Sequence, residues 1–126
     1  MSRLTSLTQN VAETSPNAED PRLRTRFYAL SRETVWNTVY VLAAAQPGWD
    51  ILEADQAEGV FEIESRTRFL NCVDDVTIRV RPASGQRISV DLLSRSRVGK
   101  GDLGTQARRI RHFLAALDNA LSPTPR

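Results

Sequence analysis

The sequence predicts an α+β two-layer sandwich: an antiparallel sheet of about five strands with two helices packed on one face. Three observations carry this. Apolar and polar residues alternate with a period of two in five short runs. Two longer runs repeat their apolar residues at helical spacing. The connections between successive strands are short, which favours antiparallel neighbours, and two amphipathic helices bury their stripes most economically on one side of such a sheet. The order of elements reads β-α-β-β-β-β-α.

Residues 1–20 are rich in Ser, Thr, Asn, Glu and Ala and show no period. They are expected to form a mobile arm or an extended segment on the surface, ahead of a single domain over residues 21–122 and a tail over 123–126. Arg22 to Tyr28 alternates as a first strand, with Leu23, Thr25 and Phe27 on one face and Arg22, Arg24, Arg26 and Tyr28 on the other. Ser31 is placed to cap the first helix, and Glu33 suits its N-terminal dipole. Val35, Trp36, Val39, Tyr40, Leu42 and Ala43 form its apolar face, and Pro47-Gly48 stops it. Trp36 and Trp49 are expected in the core.

Trp49 to Ala54 reads as a short strand, Asp55 to Gly59 as a turn, and Val60 to Arg68 as the next strand. Residues 69–74 connect it to Val76–Arg81, the clearest alternation in the chain. Pro82-Ala83-Ser84-Gly85 has the chemistry of a hairpin turn. The last strand puts Ile88, Val90, Leu92, Ser94, Ser96 and Val98 on one face. Gly99, Gly101 and Gly104 break it, and Asp102 is an N-cap candidate for the second helix. Leu103, Ala107, Ile110, Leu114, Leu117 and Leu121 make one stripe on that helix, which Ser122-Pro123 ends. A glycine-bearing turn at a helix start, beside Lys100, can hold an anion. This one lacks the spacing of either phosphate-loop signature, so it reads as a strand-to-helix corner.

A chain of 126 residues is one domain's worth. Its net charge of +2 implies no strong nucleic-acid or membrane field. Sixteen of its seventeen basic residues are Arg, the residue suited to planar, bidentate contact with carboxylate or phosphate. Cys72 is the single cysteine, which excludes an intrachain disulfide and a cysteine zinc site. His112 is the single histidine, which argues against a Ser-His-Asp triad and a His-rich metal site. Met1 to Asn10 does not have the pattern of a signal peptide, and Val39 to Ala45 is too short to span a bilayer. A cytoplasmic protein without a cofactor is expected.

The face of the sheet turned away from the helices is expected to collect Arg24, Arg26, Glu62, Glu64, Arg66, Arg68, Arg79, Arg81, Arg87, Asp91, Arg95 and Arg97. An Arg-dominated surface of this kind suits an anionic ligand or protein partner. Tyr28 is the only aromatic residue expected there, which counts against nucleic acid, since base stacking needs more. The expected binding residues are Arg66, Arg95 and Arg97, positioned by Asp74, Asp75 and Asp102. Asp74 and Asp75 are neighbours on a strand and point to opposite sides, whereas a catalytic pair must converge. Asp74, Asp75 and Asp102 have the spacing of no metal-binding loop. Two other readings stay open: an enzyme using Asp74, Asp75 or Asp102 with Arg97, and a carrier of an apolar ligand between the sheet and the long helix.

Phe69 to Val76, then Ser94 to Gly99 with Asp102 and Gly104, then Ala107 to Leu114, together resemble the bacterial and plastid domain-of-unknown-function family 1499. The pattern is a lead into Val73-Asp74-Asp75, a Ser-Arg-Ser-Arg-Val-Gly strand end and an Arg-rich C-terminal helix. The resemblance implies no activity. At the level of fold alone, the element order also resembles the helix-grip proteins, in which a curved sheet wraps a long helix around a cavity.

Overall fold

Among the described residues, six strands form one antiparallel sheet, and two helices pack against one of its faces. The computed structural model describes residues 11–66, 73–97 and 104–122. The strands are β1 (Val11–Glu13), β2 (Arg26–Tyr28), β3 (Trp49–Asp55), β4 (Val60–Arg66), β5 (Val73–Ala83) and β6 (Arg87–Ser96). Helix α1 (Arg32–Ala45) follows β2, and α2 (Thr105–Leu121) follows β6. The spatial order is β1-β6-β5-β4-β3, with β2 also paired to β6. β1 and β2 therefore share one edge of β6: Val11 stands opposite Arg95, and Arg26 opposite Val90. This is the α+β fold the sequence predicts, with one strand more.

The extra strand comes from residues 11–20, expected to belong to an arm. Thr14 donates its backbone N–H to the Leu92 carbonyl at 2.9 Å, and its hydroxyl accepts from the Leu92 N–H at 3.0 Å. Ser15 bridges to Arg24. The expected first strand is shorter than Arg22 to Tyr28, because Pro21–Leu23 forms a single 3-10 turn capped by Asp20. Its facing is also reversed. Tyr28 is fully buried on the helix side, and Phe27 lies on the open face under the Arg87 guanidinium, 4.4 Å from its centroid.

The reason for that reversal lies in α2. Asp118 accepts from Arg26 Nε at 3.0 and 2.9 Å and from the Tyr28 hydroxyl at 2.9 Å. Burial and the adjacent Asp118 charge push the Tyr28 phenol far above its ordinary range. A phenol whose folded pKa is raised favours the protonated folded state. Its stabilisation is therefore complete below the unfolded value of about 10 and is lost as pH rises above it. Tyr28→Phe is expected to lose about 1–3 kcal/mol at neutral pH. In urea unfolding from pH 8 to 11, the variant should also show a shallower fall in midpoint than the parent. Parallel falls would show that Tyr28 does not set the alkaline limit.

Local rules settle the remaining ends. Ser31 caps α1 as expected, accepting from the Thr34 N–H at 3.0 Å. The N-cap of α2 is Gly104 at φ 95°, with no side-chain cap. The position expected for Asp102 thus falls two residues later, and Asp102 itself lies outside the described residues, as do Arg68, Cys72 and Lys100. β5 runs on through Pro82 and Ala83, so the hairpin turn is Ser84–Gln86, not Pro82–Gly85. Gly59 is required between β3 and β4: at φ 74° a Cβ there would lie 2.2 Å from the Val80 carbonyl oxygen.

The core lies between the helices and the sheet. Val35, Trp36, Val39 and Ala43 of α1 and Ile110, Phe113, Leu114 and Leu117 of α2 meet Phe61, Ile63, Val76, Ile78, Val90 and Leu92. Trp36 stacks on Phe61 at 4.0 Å, and the half-buried Trp49 stacks on Phe113 at 5.4 Å. No helix among the described residues is long and apolar enough to cross a membrane.

Candidate binding surface

The alternation along β4, β5 and β6 sends every second residue to the face that no helix covers. Pairing aligns these residues across strands. Asp50 stands opposite Glu64, Glu64 opposite Asp75, and Asp75 opposite Arg95. A register shift between Ile51 and Glu53 then changes the facing of β3, so Glu53 pairs with Glu62 and Asp55 with Val60 on this same face. Leu52, at the irregularity, is left 60% exposed.

The charges on this face are separated rather than Arg-dominated. β3 and β4 carry Asp50, Glu53, Asp55, Glu62 and Glu64 against Arg66 alone. β5 and β6, with the residue just after β6, carry Arg79, Arg81, Arg87, Arg95 and Arg97 against Asp75 and Asp91. Two arginines expected here are engaged elsewhere: Arg26 holds Asp118, and Arg24 Nε donates to the Ala18 carbonyl at 2.8 Å.

The arginines differ in how they are engaged. Arg97 binds both oxygens of Asp75 through Nε, at 3.1 and 3.0 Å, and reaches Glu64 through Nη2 at 2.7 Å. Those two carboxylates, Asp75 first, hold its pKa above the ordinary arginine value. Arg66 is 3.7 Å from the other Glu64 oxygen. Arg87 lies over Phe27 and donates to the Ser84 carbonyl at 2.9 Å. Among the described residues, Arg79, Arg81 and Arg95 are exposed and have no ion pair or side-chain hydrogen bond. Asp91 Oδ1 accepts from the hydroxyls of Thr14 and Thr25, both at 2.6 Å, which ties β1 and β2 to β6. Beside it, Glu13, Thr77, Arg79, Asp91 and Leu93 line an open pocket of about 260 Å³.

Asp74 does not join this surface. It points to the helix side and is 3% exposed. Arg109 Nη2 of α2 lies 2.9 Å from its Oδ2, and Gln106 Nε2 donates to the same oxygen at 3.3 Å. Arg109 Nη1 also donates to Ser94 Oγ at 3.0 Å and Gln106 Oε1 at 2.7 Å, and Ser94 Oγ donates to Gln106 Oε1 at 2.5 Å. The expectation that Asp74 positions Arg66, Arg95 or Arg97 is therefore corrected: its partner is Arg109. Of the expected set, Arg66, Arg95, Arg97 and Asp75 share the open face. Gln106 and Arg109 were not anticipated. The available signal was Ser94 on an apolar parity, since a buried hydroxyl requires a partner.

This geometry bears on the two other readings. Asp74 and Asp75 diverge across the sheet, so no single cleft takes both as an acid and base. The space between sheet and α2, where a helix-grip carrier keeps a cavity, is occupied by Ile110, Phe113, Leu114 and Leu117, all fully buried. His112 is exposed on α2. Among the described residues, no three His, Cys, Asp or Glu side chains gather as metal ligands do.

A family model described as a protein of unknown function, DUF1499, matches residues 3–117. The X-ray structure of protein CV1439 from Chromobacterium violaceum aligns with 91% of this chain and 99% of its own, at 12% identity and a TM-score of 0.45. No curated protein matches.

Proposed function

The chain belongs to the DUF1499 family of proteins of unknown function, and from that premise we propose that it is a non-enzymatic binding domain for an anionic partner. The β5–β6 half of the open sheet face takes the partner. Arg79, Arg81 and Arg95 make the contacts, and Arg66 and Arg97 border them. The supporting observation is that the first three guanidiniums stand exposed without a carboxylate partner among the described residues. Arg97 contributes less, because Asp75 and Glu64 already occupy its donors. Asp75 has the role of holding Arg97 beside Arg95.

An extended acidic chain fits this half, since Arg79 and Arg81 lie two residues apart on one strand face, about 7 Å along it. The test is fluorescence anisotropy with a labelled polyglutamate peptide at low ionic strength. Arg79→Ser/Arg81→Ser is expected to weaken binding roughly tenfold, and added salt should weaken the parent's binding. Equal binding by parent and variant would overturn the reading.

A further inference from the structure

We infer that the partner is a second copy of this chain, whose acidic β3–β4 half supplies the anionic surface, and that two open sheet faces pair about a twofold axis parallel to the strands, along the boundary between β4 and β5. This rests on the reading just given and names the partner of the same surface.

The open face is a charge dipole. Its β3–β4 half is net four negative, and its β5–β6 half is net three positive. A broad, uniformly acidic partner covering the face would be repelled by Asp50, Glu53, Asp55, Glu62 and Glu64. A uniformly basic one would meet Arg79, Arg81, Arg87, Arg95 and Arg97. The surface that satisfies both halves is dipolar with the same spacing, and another copy has it. In a twofold interface the same patch serves both sides and must be self-complementary.

Charge also selects the axis. A twofold in the sheet plane and parallel to the strands lays β3 over β6 and β4 over β5, so each acidic half covers a basic half. A twofold across the strands would lay each strand over its own counterpart and bring like charges together, which costs affinity and suppresses that pairing. The strand-parallel axis brings Asp50 of one copy toward Arg95 of the other, because both belong to one cross-strand row. The same rule brings Glu64 toward Asp75, which Arg97 bridges within each copy, and Asp55 toward Asp91, so the complementarity is between whole halves and not row by row. Twist sets the two sheets at about 30° to each other, as in aligned sheet packings.

Area sets the strength. Four strands at about 4.8 Å spacing and about seven residues long give roughly 450 Å² per copy, or about 900 Å² in total, about a quarter short of the roughly 1,200 Å² at which the range for stable specific interfaces begins. The face is also mostly charged. The expected product is a weak dimer that dissociates with salt.

The test is sedimentation equilibrium of the full chain, with three samples compared. The parent should approach twice its 14.1 kDa mass in about 0.01 M salt and return to the monomer in about 1 M salt, where the Debye length falls from about 30 Å to about 3 Å. Arg79→Glu/Arg81→Glu alone and Glu53→Arg/Glu62→Arg alone should each be monomeric in low salt. Mixed in equal amounts, they should associate at least tenfold more tightly than either does alone. All four positions are exposed, and a urea midpoint on each variant checks folding. Should a reversed variant fail to fold, Arg79→Ser/Arg81→Ser and Glu53→Ser/Glu62→Ser replace the pair, each alone losing association and their equal mixture regaining part of it. A parent that is monomeric at low salt, or a mixture that does not recover association, overturns the inference. A monomeric parent that still binds polyglutamate through Arg79 and Arg81 overturns only the second-copy inference. A monomeric parent that binds no polyglutamate overturns the anionic reading as well.

Discussion

Asp74→Ala is expected to cost about 3–5 kcal/mol of folding stability, the range for removing one partner of a buried ion pair. The carboxylate is 4% exposed and the Arg109 side chain 12%. Without it, Arg109 keeps a positive charge against Ser94 and Gln106 in a region walled by core side chains, and Gln106 Nε2 loses its acceptor. The guanidinium's distance to solvent fixes where in that range the cost falls, since a long stem can carry its charge outward. The neighbouring residue provides the internal control. Asp75 is 44% exposed in its pair with Arg97, and Asp75→Ala is expected to cost under about 1 kcal/mol. Urea unfolding of the two single variants at one pH and salt measures both. A third variant, Asp74→Leu/Arg109→Met, should recover much of the Asp74→Ala loss, because replacing both charges leaves none buried alone. If Asp74→Ala and Asp75→Ala fall together, the helix-side network does not hold α2 to the sheet.

The split between these two aspartates was legible from a period of two, as were Ser94 on the core parity and Ser31 as a cap. Other features were not, and each has a physical reason. β1 is three residues long, too short to display any period, and its pairing depends on a vacant stretch of the β6 edge 80 residues away. The facing of β2 cannot be read from three residues that offer Phe27 to one side and Tyr28 to the other. Asp118, ninety positions on, decides it through Tyr28 and Arg26. The charge of the open face depends on a register shift at Leu52. Strict alternation from Asp50 would send Glu53 and Asp55 to the opposite face, and one irregular residue returns them beside Glu62. An expected Arg-dominated surface became a dipolar one through that residue and through two arginines drawn to other partners. Arg109 was hidden for a related reason: a long polar side chain on a helix flank reads as solvated unless the buried acid opposite is already known.

Phe113→Ala carries the other large expected effect, about 3–5 kcal/mol, the range for emptying a buried aromatic site. The sequence stripe on α2 runs through Ala107, Ile110, Leu114 and Leu117 and omits Phe113, yet its side chain is fully buried. A stripe this wide follows from two neighbours. The helix packs on the sheet through β6 and β1 and also against α1, so the buried arc exceeds what one contact surface requires. Phe113 fills the corner where Trp49 stacks on it, with rings 5.4 Å apart and 19° from parallel. Removing it takes away the packing of Phe113 and one face of the half-buried Trp49 together. Trp49 begins β3, the exposed edge strand that carries Asp50 and Glu53. The loss should therefore appear twice: as a lower urea midpoint, and as a red-shifted tryptophan emission in the folded state that Phe113→Leu largely prevents. A Phe113→Ala variant with parental emission and a loss below about 1.5 kcal/mol would mean that the corner collapses onto the gap. The acidic edge of the sheet would then be held by its pairing with β4 and its packing on α1 rather than by the long helix.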